Sequence, residues 1–144
     1  MTTQAIKVAI VGAHFRPPAK VILAHLPAGC ALRIRPEPTN PYDEWALQVL
    51  VASADIPQSE HEELGQEAQF FGHSIESILA SDEWHLGYIP KTEAVHLQPR
   101  VVRAIEDRNG YAEQMDQRQI DSHWFGTLQF DAAGKPQVQF ELPE

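Results

Sequence analysis

Along this 144-residue chain, short runs of alternating apolar and polar residues are separated by proline and glycine, a pattern of strands and turns. Residues 6–11 form a β-rich run closed by Gly12, and Phe15-Arg16-Pro17-Pro18 breaks it. Pro18 suits a first helical turn, so residues 19–26 read as a short helix stopped by Pro27-Ala28-Gly29. In residues 31–35, Leu32 and Ile34 share one face and Arg33 and Arg35 the other, as in a half-buried strand. Residues 45–51 repeat that period through Trp45, Leu47 and Val49, and 36–43 hold three prolines and an Asn-Pro-Tyr-Asp turn. A strand is expected at 86–89, ended by Pro90, and then a helix over about 92–107, capped by Thr92 and restarted at Pro99. Residues 124–130 and 138–142 read as a hairpin turning through 131–136.

The interruption lies at residues 53–85, which hold eight acids and no lysine or arginine. This stretch reads as an acidic helical insertion in a single domain covering 1–144. Its core would span about 6–108, with the hairpin 123–142 added. Ser59 and Glu62 have capping-box spacing, and Phe71, Ile75, Ile78 and Leu79 fall at helical spacing. The helix is expected to dock on the edge of the core, or alternatively to bind a partner. Deletion of 54–82 is expected to leave the domain folded.

Composition bounds the class. Hydrophobic content of 43% and charged content of 22% are ordinary for a globular protein. No apolar run is long enough to span a membrane, and no secretory signal pattern is seen. The single cysteine, Cys30, allows no internal disulfide framework and fits a reducing, cytoplasmic setting. The net charge of −9 argues against unspecific coating of duplex DNA, which needs many phosphate contacts. That charge is concentrated in the acidic stretch, however, so a small directed nucleic-acid pocket elsewhere is compatible with it.

Motifs of catalysis are missing from the sequence. The seven histidines form no HExxH, and there is no GxxxxGK[ST], GxGxxG or GxSxG. A binding module without enzymatic activity, metal or cofactor is therefore expected.

Three segments carry positive information: Val11-Gly12-Ala13-His14-Phe15, then residues 35–47 around Asn40-Pro41-Tyr42-Asp43, then Leu86-Gly87-Tyr88-Ile89-Pro90-Lys91. In this order they resemble the HIRAN domain, with the likeness covering about residues 6–108 around the acidic insertion. The resemblance implies a mainly β fold, a small antiparallel OB-like barrel with one or two helices. It also implies binding of single-stranded DNA at a free 3′ end, in DNA repair or replication-fork processing. With no helicase or nuclease motor in this chain, such an activity would be supplied in trans. By motif position the DNA-binding residues would be Phe15, Tyr42, Asp43 and Lys91, together with His14, Arg16, Asn40 and Tyr88.

Elementary chemistry agrees with those roles. Phe15 and Tyr42 offer rings for stacking on unpaired bases, worth roughly 1–3 kcal/mol per base. Asp43 repels phosphate but suits the hydroxyl of a strand end, and Lys91 suits a phosphate. The sequence departs from the family where His14 replaces an arginine and where Trp45-Ala46 replaces Asn-Ala. Plainer readings of the same residues stay open: Phe15 and Tyr42 as packing, Asn40 to Asp43 as a turn scaffold, Lys91 as a solvated lysine. So does an interaction domain that keeps the fold without DNA affinity.

Overall fold

The computed structural model describes residues 2–13, 16–114 and 122–144. Six strands pair antiparallel throughout: β1 (Thr3–Ala9), β2 (Ala31–Pro36), β3 (Leu47–Ala52), β4 (Glu83–Tyr88), β5 (Trp124–Phe130) and β6 (Pro136–Pro143). Their order in the sheet is β1-β6-β5-β2-β3-β4. The register sets Ile6 opposite Phe140, Ile34 opposite Trp124 on one side and Val49 on the other, and Val49 opposite Gly87. Beyond β1 the chain meets β4 at an isolated bridge, where Val11 and Tyr88 exchange N–H···O bonds of 2.8 Å in both directions. Regular pairing does not continue from β1 to β4, so the architecture is a six-stranded antiparallel sheet with helices. It is not mainly β as expected, because four α-helices among the described residues are as extensive as the strands.

In β2 the alternation read from the sequence is the alternation of burial, but β3 departs from it. That strand begins at Leu47, leaving Trp45 outside it and exposed, and Val49 to Ala52 are all buried because both faces of this inner strand are covered. Leu32 and Ile34 are fully buried with Leu47, Val49, Leu86, Leu128 and Val138. Each such side chain contributes about 1.5–3 kcal/mol relative to exposure. Helix α1 (Pro17–Ala24) begins at the proline pair and buries Ala19, Val21, Ile22 and Leu23. Helix α4 (Lys91–Gln114) packs on β2, β5 and β6. Its buried stripe of Ala94, Leu97, Val101, Ala104 and Ile105 keeps helical spacing across Pro99. The restart expected there does not occur: the exposed proline sits inside one helix and removes only its own backbone donor.

Residues 53–85 correct several expectations. They form single 3₁₀ turns at Ser53–Asp55 and Gln58–Glu60, then α2 (His61–Ala68), a further 3₁₀ turn at Gln69–Phe71, and α3 (Ile75–Ala80). Ser59 makes no cap for α2, which starts behind Glu60; the reciprocal capping box is at Ser74 and Ser77 before α3. Gly72, at φ +79°, cuts the stripe of Phe71, Ile75, Ile78 and Leu79, and only Ile78 of the four is fully buried. Strand β4 starts at Glu83, inside the acidic stretch, since Glu83-Trp84-His85 carries no apolar alternation to announce it. Most consequential, Ile56, Leu64, Ala68 and Ile78 belong to the same core as the sheet. The segment is part of the packed interior and not an appendage on its edge.

Candidate nucleic-acid interface

The β2–β3 loop is held by its own side chains. Asn40 Oδ1 accepts from the backbone N–H groups of Tyr42, at 2.9 Å, and Asp43, at 3.2 Å. Asp43 Oδ1 in turn accepts from the Trp45 N–H at 3.0 Å. These are the local bonds that make Asn and Asp turn residues. They lock the Pro41-flanked backbone and leave Tyr42 88% exposed, its ring pointing into solvent.

Beside this loop opens a cleft of about 500 Å³, lined by residues including Arg16, Asn40, Tyr42, Asp43, Tyr88 and Lys91. Three separated stretches of chain supply these six. Its floor is the Tyr88–Glu37 contact: the phenol donates to Glu37, 3.2 Å from Oε2 and 3.4 Å from Oε1. Asn40 Nδ2 donates to Glu37 Oε1 at 2.9 Å, and Gln48 donates to the other carboxylate oxygen. Burial first, and then the Glu37 charge, push the Tyr88 phenol above its ordinary range.

Arg16 stands at the start of α1 with its guanidinium 5.6 Å from the centre of the Tyr88 ring. It also donates to His85 Nδ1. His85 Nε2 lies 2.8 Å from the Gly87 carbonyl, which places the ring proton on Nε2 and the lone pair toward Arg16. Burial, reinforced by the Arg16 charge, holds His85 below its usual range and so neutral. The imidazole meets Tyr88 edge to face at 4.6 Å. On the opposite side, Lys91 Nζ lies 3.5 Å from the Tyr42 carbonyl.

Six of the eight residues expected at the site therefore face one cleft. Phe15 and His14 lie outside the described residues. Glu37 and His85 were missed by sequence reasoning. Glu37 sits in the proline-rich run and looks solvated; only the Asn-Pro-Tyr-Asp turn beside it hinted at a role. For His85 no signal existed, because its partner Arg16 is 69 residues away. Among the described residues, the cleft carries two cations, Arg16 and Lys91, against two carboxylates, Glu37 and Asp43, and no residue between 53 and 85 lines it.

The outward arginines of β2 are occupied by the acidic stretch. Glu83 accepts from Arg33 Nη1 and from Arg35 Nη2, each at 2.9 Å, and a further bond comes from Arg35 Nη1. The Arg35 hydrogen bonds, with those of Arg33, outweigh burial and hold the Glu83 carboxyl below its ordinary range. Comparison with family models, with curated proteins and with solved structures finds no match to this chain.

Proposed function

We propose that this chain is a HIRAN-like module that binds single-stranded DNA at a free 3′ end. The observation that carries the reading is the convergence of Arg16, Asn40, Tyr42, Asp43, Tyr88 and Lys91 on one cleft from three separated segments. Tyr42 stacks on a terminal base from a turn that presets its backbone, so little order is lost on binding. Arg16 and Lys91 contact the phosphates nearest the end. The carboxylate side of the cleft accepts the terminal hydroxyl and repels a 3′-phosphate. An OB-like closure of the sheet belongs to the same reading, supported by the Val11–Tyr88 bridge between strands at opposite ends of the order. A helicase or nuclease acting in trans, in DNA repair, would then use the module to find strand ends.

The test is titration of labelled oligonucleotides with free and with phosphate-blocked 3′ ends. Tighter binding of the free end supports the proposal, and equal binding removes end recognition from it. Balanced charge in the cleft and the pairing of Arg33 and Arg35 with Glu83 favour a second reading, an interaction domain without DNA affinity. No measurable binding of either oligonucleotide selects that one.

A further inference from the structure

Away from the cleft, three of the four acids of α2 and its N-terminal cap, Glu60, Glu63 and Glu67, are spaced by three and four residues and so stack along one face. That face covers His25, the residue that ends α1, which is only 9% exposed. Glu60 Oε2 is 3.3 Å from His25 Nδ1, and Glu67 Oε2 is 3.1 Å from Nε2. His25, Glu60 and Glu63 each present one donor atom, all within 4.8 Å of one another. Nε2 is fully buried and, despite its distance from Glu67, makes no well-aligned hydrogen bond. Three carboxylates surround one imidazole, so even a protonated ring leaves the group two charges negative, and residues 53–85 supply no lysine or arginine.

We propose that His25, Glu60 and Glu63 bind a divalent cation of the zinc type, with Glu67 as the carboxylate that orients the imidazole. Zinc takes nitrogen and oxygen donors at about 2.0–2.2 Å, which sets tetrahedral donors roughly 3.3 Å apart. The Nδ1–Glu60 separation already has that value. A ligating histidine ordinarily donates its other N–H to a carboxylate; Glu67 Oε2, 3.1 Å from Nε2, stands on that side of the ring, within reach of a bond that is not aligned without the cation. The mixed imidazole and carboxylate set favours zinc over magnesium or calcium, which take oxygen alone. Glu63 is exposed, so the cation keeps a side open to water. Binding cancels the excess charge and fastens α1 to α2.

Chelator-treated full-length protein is titrated with zinc chloride by calorimetry at pH 7.5. One equivalent is expected to bind. Glu63→Gln should weaken binding at least tenfold while leaving the melting temperature of the metal-free protein unchanged, since this side chain is exposed. Glu76→Gln, in the same acidic stretch but outside the group, should bind like the unaltered chain, and magnesium chloride should give no saturable heat. His25→Gln should abolish binding; if that variant fails to fold, Glu63→Gln still decides. Absence of one-to-one zinc binding, or unchanged affinity in Glu63→Gln, overturns the assignment.

Discussion

Tyr88 and Glu37 join β4 to the loop after β2 through a phenol–carboxylate hydrogen bond at the bottom of the cleft. After burial, the charge of Glu37 and then this bond push the phenol further above its ordinary range, against the opposing charge of Arg16. Glu37→Gln keeps an acceptor oxygen and removes the charge. The Tyr88 midpoint should therefore fall, while staying above the ordinary tyrosine range because burial, the larger cause, is unchanged. Ultraviolet titration against a Tyr88→Phe reference reads this directly. An unmoved midpoint would show that the two groups do not interact in solution.

Tyr42→Ala should leave the melting temperature unchanged, because an 88% exposed ring contributes little to folding. Affinity for single strands should fall by roughly 1–3 kcal/mol, the usual worth of one base–aromatic stack. Fluorescence anisotropy and a thermal melt on the same variant separate the two effects.

At Asp43 the choice of substitution matters. Asp43→Ala removes the acceptor for the Trp45 N–H as well as the charge, whereas Asp43→Asn retains an oxygen for that bond. The unaltered chain should prefer a 3′-hydroxyl to a 3′-phosphate by about tenfold, corresponding to roughly 1.4 kcal/mol. Asn should erase this preference with little loss of stability, and Ala should erase it with an additional destabilisation of about 1 kcal/mol, measured by denaturant unfolding. Persistence of the preference in both variants would assign end recognition to Glu37.

The deletion expected from the sequence to be harmless is now expected to unfold the domain. Residues 54–82 contain Ile56, Leu64, Ala68 and Ile78, all in the common core. Leu64→Ala alone should cost about 2–5 kcal/mol, as for other fully buried leucines. A cooperative unfolding transition in the deletion variant would contradict this.

Glu83 makes stability depend on acidity in a defined direction. Its carboxyl is held lower in the folded chain than in the unfolded one by Arg35 and Arg33. The unfolded state therefore binds the proton first as pH falls. The contribution is complete above the ordinary glutamate range, and it is lost as pH drops from there through the lower folded value. Glu83→Gln should be less stable at neutral pH and should show a flatter decline on acidification, followed by chemical denaturation between pH 6 and 3.

What the sequence disclosed depended on whether the signal was local. Period two located β2 through Leu32 and Ile34, and the Asn-Pro-Tyr-Asp turn bonds to itself within four residues, so both were legible. The pairing of Arg33 and Arg35 with Glu83 spans about fifty residues, and that of Arg16 with His85 nearly seventy. Register across the sheet creates these contacts, and no window of sequence contains them. In residues 53–85 the density of acids hid the few apolar positions, Leu64 and Ile78 among them, that make the segment part of the interior. Pro99 misled because prolines usually end helices, while here the stripe beneath it continues.

Strands β1 and β4 stand at opposite ends of the strand order, where unpaired backbone groups would invite neighbouring chains. The mutual bonds of Val11 and Tyr88 turn those two ends toward each other. That approach leaves no space for a side chain at Gly87, where a Cβ would lie 2.5 Å from the Val11 oxygen and 3.0 Å from Ile10 Cγ2. A single methyl group at this position would prise the ends apart and leave both open to lateral recruitment. Gly87 thus sets how closely the two edges of the sheet approach, at the border of the cleft that Tyr88 and Val11 line.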